Sequence, residues 1–419
     1  MSSLRAGSFP AAAVRARART GPAAAFADAA QYGRVLLGAS PVRQRSTDGL
    51  DRLRLVPPVF VPHRMAKLID LGREPNFGDV DLTTTIGGFR ATLPLYLSAF
   101  GSTEVASVDL GQAASQQAGK LGIPMVVGEN VLRVRGSGRA EQAAEASLLA
   151  RVRAYASTAL DGYGGVVVQQ STEDADAEVW NLVYSDPDAH QLLESGRLAF
   201  ELKVGQGAKP GLGGMTMLDV ETAARLADVF TMVPLDDAAA KSGSASVLRC
   251  GSPGTFTEEI LRHQVRLMRN NFPRARIWVK LPPARDVGAA ASVAWQAGAD
   301  AVTVDGAEGG TGWAPTTFLQ EVGLPLAECL RRIGEPEGCL LVSGRMWEGS
   351  RVVKCLALGA RAAGLGRAAL IAVDADPANG LLNLVECLAL ELRMLVHALG
   401  KYCLPTLGRE DLWSAEDGL

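Results

Sequence analysis

From about residue 93 onward the chain keeps one rhythm. A short apolar or β-branched run is followed by a glycine-rich turn and then by an Ala/Leu-rich stretch with helical spacing. Eight such runs fall at 93–98, 124–129, 165–169, 199–204, 276–281, 301–305, 340–343 and 362–366. Strands that alternate with helices pair in parallel, because each crossover helix returns the chain to the same end of the sheet. Eight of them favour closure into an α/β (β/α)8 TIM barrel, with an open doubly wound sheet as the architectural alternative.

Several stretches stand outside this rhythm. Residues 50–92 precede the first strand and are expected to cover the bottom or flank of the barrel. Residues 205–260, with Gly and Pro throughout, form a long loop between the fourth and fifth strands, of the kind that builds lids or substrate walls. Residues 381–399 read as an apolar helix interrupted by Glu386, Glu391 and Arg393. Such a helix suits core packing, or subunit contact in a homo-oligomer, better than a membrane. Residues 1–49 are expected to be a partly flexible N-terminal arm, leaving 50–419 as the barrel domain. The first twenty residues are Arg-rich and acid-free like a transit peptide, but a flexible arm is the simpler expectation.

Composition narrows the function classes. A formal net charge of −3 and 5% aromatic residues recommend neither nucleic acid nor an acidic membrane as partner. The six cysteines include no C-x-x-C pair, a pattern of reduced, buried thiols in a cytoplasmic protein. No G-x-S-x-G elbow, H-E-x-x-H helix or Walker loop is present, and His63, His190, His263 and His397 fall at no expected strand end. Without an obvious general base at the mouth, the chain reads as one that lends its site to a cofactor.

Three glycine clusters follow the last three strands: Gly309, Gly310, Thr311 and Gly312; then Ser343, Gly344 and Arg345; then Gly364, Gly366 and Arg367. Glycines let backbone N–H groups converge on an anion, and this fold repeatedly builds its phosphate site from the last loops. Strand alternation turns Glu201 and Lys203 into the barrel on the fourth strand, Lys280 on the fifth, and Glu129 at the end of the second. The lysines either meet an anionic ligand or pair with Glu201, Glu129 or Asp305 as a core ion network. Gln206 and Lys209 follow directly and suit a small-molecule carboxylate substrate.

These runs carry a family resemblance. L-S-A-F-G-S at 97–102, G-E at 128–129, the stretch 201–214 with its Q-G-A-K-P-G, and D-G-A-E-G-G-T-G at 305–312 resemble the FMN-binding synthase domain of glutamate synthase. The resemblance implies FMN across the barrel mouth. Ser98, Ala99, Phe100 and Gly101 would face its ring system. Gln169 and Lys280 would address its polar edge, and the three glycine clusters would surround the phosphate. In the family, reduced FMN delivers hydride to 2-iminoglutarate formed from 2-oxoglutarate and ammonia. The resemblance therefore places Lys203, Gln206 and Lys209 on substrate carboxylates and Glu129 near the reacting centre.

The departures matter too. No amidotransferase domain with a leading cysteine precedes the barrel, and residues 368–386 hold no cysteine, so no iron–sulfur cluster is expected. The loop holding Trp180, Asn181 and Tyr184 differs from the family, as do residues 170–174 and 130–131. The expected function is an FMN-dependent oxidoreductase acting on CH–NH2 or C=N groups of an amino- or imino-acid-like carboxylate. Its electrons would come from substrate, NAD(P)H or an external reductase. A 2-hydroxy acid oxidase, a redox-neutral flavoenzyme and a flavin-free partner subunit are the alternatives.

Overall fold

The computed structural model describes residues 9–26, 48–100, 110–128, 148–171, 179–205, 207, 216–228, 231–235, 246–250, 256–310 and 315–414. Eight parallel strands close into a barrel in chain order. They are β1 (Leu95–Phe100), β2 (Met125–Val127), β3 (Val166–Ser171), β4 (Leu198–Lys203), β5 (Arg276–Leu281), β6 (Ala301–Asp305), β7 (Leu340–Ser343) and β8 (Ala362–Leu365). The start of β1 lies two residues beyond the sequence expectation. Pro94 has no N–H for a ladder, although its carbonyl accepts from Ala363 N at 3.0 Å. Pairing therefore opens at Leu95.

Alternation along the strands separates two cores. Leu198, Phe200 and Leu202 of β4 face outward into the shell between barrel and helices, whereas Ala199 faces the interior beside Trp278, Leu341 and Tyr96. Phe200 packs edge-on against Phe272, with centroids 4.8 Å apart, and Trp180 lies 5.9 Å from it. Here the sequence reading needs correction. Trp180, Asn181 and Tyr184 sit on a helix, Val179–Ser185, not on a loop. Val179, Trp180 and Val183 recur at helical spacing and are buried, and the Trp180 indole donates to the Val168 carbonyl at 3.0 Å.

The lower end of the barrel is plugged. Strands Thr84–Ile86 and Phe89–Ala91 form a hairpin whose two-residue turn, Gly87 and Gly88, has φ of 53° and 92°. A turn with both residues left-handed matches strand twist and requires glycine. The close approach requires it too, since a Cβ on Gly87 would lie 2.3 Å from the Trp278 ring. Trp278 donates its indole N–H to the Gly87 carbonyl at 3.0 Å and stacks on Phe89 at 5.6 Å.

The excursion between β4 and β5 carries its own three-stranded antiparallel sheet, Thr216–Asp219, Thr231–Leu235 and Ser246–Cys250, with the last strand in the middle. At the chain's ends, helix Ala11–Thr20 packs on helix Gly380–Ala398. Arg17 clasps Glu391 at 2.5 and 3.0 Å, and Leu381, Leu384, Val385, Leu388, Leu392 and Val396 of the long helix are buried. Glu391 thus interrupts the apolar run in order to hold the N-terminal helix. Among the described residues no helix is long and apolar enough to cross a membrane.

Candidate active site

The upper half of the barrel interior is polar and buried. Gln169 on β3, Glu201 and Lys203 on β4, Lys280 on β5, Thr303 and Asp305 on β6, Ser343 on β7 and Ser98 on β1 are all buried. Register makes neighbours of them: Gln169 opposite Glu201, Lys203 opposite Lys280, Lys280 opposite Thr303, and Asp305 opposite Ser343. The Gln169 amide donates to one oxygen of Glu201, and the Thr303 hydroxyl donates to the other at 2.9 Å. Lys280 Nζ sits 3.1 Å from Asp305, which also accepts the Ser343 hydroxyl.

Burial dominates the electrostatics of this layer and pushes Glu201 above the ordinary carboxylate range. Lys280 and the hydrogen bonds from Gln169 and Thr303 pull it back only in part. Lys280 is therefore both a member of a core ion pair, as one sequence reading allowed, and one of two adjacent cations beneath the mouth. At the end of β1, Ala99 and Phe100 are half-buried. Arg151 braces Phe100, with its guanidinium 5.6 Å from the ring and one nitrogen donating to the Phe100 carbonyl at 3.3 Å.

The glycine clusters play two different parts. A Cβ on Gly364 would lie 2.6 Å from the Tyr96 ring, one on Gly309 2.9 Å from the Gly306 carbonyl, and one on Gly310 3.2 Å from the Arg367 side chain. A Cβ on Gly344 would come within 3.3 Å of Gly306 N. These glycines permit close packing of loop on strand and loop on loop. Gly366 is different: among the described residues no heavy atom lies within 4 Å of a Cβ built there, and it caps the N-terminus of helix Arg367–Ala375. An open position at a helix N-terminus is compatible with the anion cradle that the sequence pattern suggests. Arg367 stands beside it, donating to the Glu308 carbonyl, with its guanidinium 4.7 Å from the Phe9 ring. Arg345 is turned toward Asp51.

Of the expected site residues, Ser98, Ala99, Phe100, Gln169, Lys203, Lys280, Gly309, Gly310, Ser343, Gly344, Arg345, Gly364, Gly366 and Arg367 all fall on the upper strand ends and the loops that follow them. Gly101, Glu129, Gln206, Lys209, Thr311 and Gly312 lie outside the described residues. Sequence reasoning passed over Arg351, Asp48 and Asp51. Arg351 is fully buried on helix Gly349–Ala357 and reaches Asp48 at 2.5 Å, Asp51 at 3.2 Å and Glu308 at 2.7 Å. The available signal was an Asp-x-x-Asp pair at the edge of the supposed arm, followed three hundred residues later by two charged residues, Arg351 and Lys354, in a helix otherwise of small and apolar residues.

Comparison with known proteins bears on the same segments. Residues 188–380, from just before β4 to the start of the C-terminal helix, match the model of the conserved region in glutamate synthase. An archaeal-type glutamate synthase [NADPH] of Dehalococcoides mccartyi is 33% identical over 190 residues, which take in 43% of this chain and 36% of that protein. A glutamate synthase large subunit-like protein of Rhizobium meliloti is 35% identical over 189 residues, 43% of this chain and 40% of that one. The alignments thus span well under half the length of these relatives. Among solved structures, a mutant of an active chimera of (S)-mandelate dehydrogenase superposes with a TM-score of 0.55 at 18% identity, covering 87% of this chain and 88% of that one. A flavocytochrome b2 mutant with pyruvate bound gives 0.53 at 18%, covering 87% and 76%; at such identity the likeness is one of fold. Residues 188–380 are thus similar to the conserved region of glutamate synthase, and they form the β4–β8 part of an α/β TIM barrel.

Proposed function

We propose that this protein is an FMN-dependent oxidoreductase acting on the C–N bond of an amino- or imino-acid-like carboxylate. The observation that carries the reading is the placement of two adjacent buried lysines, Lys203 and Lys280, under the mouth whose rim holds the open Gly366 cradle. The donor set fits a flavin monophosphate. Helix N-terminal N–H groups at Gly366 and the Arg367 guanidinium suit the phosphate. Lys280 suits the electron-rich edge of the ring system, and half-buried Ala99 and Phe100 suit its apolar face. Bound FMN would supply two-electron chemistry that none of these side chains possesses.

The chain's own residues bind and orient. In this reading Lys203 serves the substrate carboxylates, the role the family resemblance also gives Gln206 and Lys209, and the resemblance assigns Glu129 to the reacting centre. Lys280, fixed by Asp305, keeps positive charge at a set place. Glu201 fixes the Gln169 amide by occupying its N–H group. The 2-hydroxy acid alternative needs a histidine beside the substrate. All four histidines lie on helices outside the barrel strands: Pro62–Leu71, His190–Glu194, Glu258–Asn271 and Gly380–Ala398. The flavin's electrons come from the substrate itself, from a nicotinamide, in keeping with the NADPH in the relatives' names, or from a separate reductase.

The test is the absorption spectrum of the purified protein, with and without added FMN, followed by anaerobic titration with amino acids and with 2-hydroxy acids. A flavin spectrum bleached by amino acids is expected. A colourless protein that FMN neither colours nor stabilises against heat would sink the reading, and bleaching by hydroxy acids alone would redirect it.

A further inference from the structure

The three loops after β6, β7 and β8 do not stand independently. Arg351 donates from Nε to the Gly344 carbonyl at 3.0 Å, from Nη1 to Asp48 and Asp51 at 2.5 and 3.2 Å, and from Nη2 to Glu308 at 2.7 Å. One planar guanidinium therefore ties the β6 loop, the β7 loop and the turn at 48–51 together. Glu308 extends the link: its carboxylate accepts Leu326 N at 3.1 and 3.2 Å, and its carbonyl accepts Arg367, the first residue of the helix that follows β8. Arg345 also binds Asp51, from a left-handed backbone with φ 55°, a conformation a non-glycine residue holds only when its surroundings fix it. From below, Lys354 donates to the Leu50 carbonyl at 3.0 Å and pins the same turn.

Buried charge of this density is a poor source of stability, because desolvation offsets most of the attraction. Its effect is geometric, and the geometry it fixes is that of the phosphate cradle. We propose that Arg351, Asp48 and Asp51 are positioning residues that preset the three loops for a phosphate, so that a turn ahead of the barrel helps set cofactor affinity. The proposal rests on the FMN reading for the identity of the ligand, but the ordering of the loops can be measured without it.

Arg351→Lys keeps the charge and loses the fork, since one ammonium cannot address both loops and both carboxylates. The expected result is at least about ten-fold weaker FMN binding by flavin fluorescence, while riboflavin, which lacks the phosphate, binds much as before. Asp51→Asn should show the same preference in milder form, several-fold, and serves if the lysine variant does not fold. Equal losses for FMN and riboflavin, or no loss for FMN, would overturn the proposal. Amide hydrogen exchange of cofactor-free protein gives the independent readout, with faster exchange expected at 306–310 and 344–351 in either variant. If the wild type binds neither flavin, the functional reading fails. The hub then stands or falls on that exchange, and unchanged protection in Asp51→Asn refutes it.

Discussion

The floor and the mouth of this barrel are built on the same strands, two residues apart, and have opposite chemistry. Trp278 and Lys280 share a face of β5, Ala199 shares one with Glu201 and Lys203, Ala301 with Thr303 and Asp305, and Leu341 with Ser343. Burial does not separate them, since Trp278 is 0% exposed and Lys280 4%. Partners do. The floor is hydrocarbon closed by a hydrocarbon hairpin, whereas each described charge of the mouth layer for which a contact is given meets an opposite charge or a hydrogen bond. A buried polar layer costs stability that packed hydrocarbon would supply. The difference teaches that the fold is held from below, and it supports the proposal that the upper layer serves a ligand.

The strongest way to break this division is at the floor. Trp278→Ala removes the largest interior side chain, its stacking on Phe89 and its hydrogen bond to Gly87, and should cost about 4 kcal/mol. The loss should appear in thermal unfolding with and without cofactor alike; a loss below about 1 kcal/mol would mean the hairpin is not a plug. At the mouth, Lys280→Met keeps the bulk and leaves Asp305 buried without its cation, costing about 3 kcal/mol. Adding Asp305→Asn should restore most of that stability. It should not restore the stabilisation that saturating FMN gives the wild type. If the double variant is stabilised by FMN as the wild type is, Lys280 has no part in the ligand.

The barrel itself was legible because period-two runs separated by helical stretches leave few alternatives, and all eight runs coincide with strands to within about two residues. Lys203, Glu201 and Lys280 were legible for the same reason, as alternation alone turns them inward. Arg351 was not. Its partners Asp48 and Asp51 lie some three hundred residues away, and no periodicity links a turn before the barrel to a helix after β7. Trp180 was misread because a short helix of β-branched and aromatic residues has weak helical propensity, and its packing against Phe200 and Phe272 decides its form. The close packing that Gly309, Gly310, Gly344 and Gly364 permit was not legible, because only neighbours in space reveal it.

The finest test of the comparison is the pH dependence of Glu201, which has no counterpart in the floor. Burial raises its pKa in the folded chain above the ordinary value of 4.5, so between those two values the native state binds more proton than the unfolded state. Stability from this group is fully present below 4.5 and is lost as pH rises through the folded value. Glu201→Gln cannot ionise and lacks that slope. The wild type should therefore lose stability relative to Glu201→Gln as pH is raised from about 4.5 toward neutrality, read as the difference in unfolding midpoints across the series. A gap that stays constant, or that moves in favour of the wild type, would show that Lys280, Gln169 and Thr303 outweigh burial. In that case the mouth layer is a satisfied ion network like any other buried one, and its contrast with the floor loses its functional meaning.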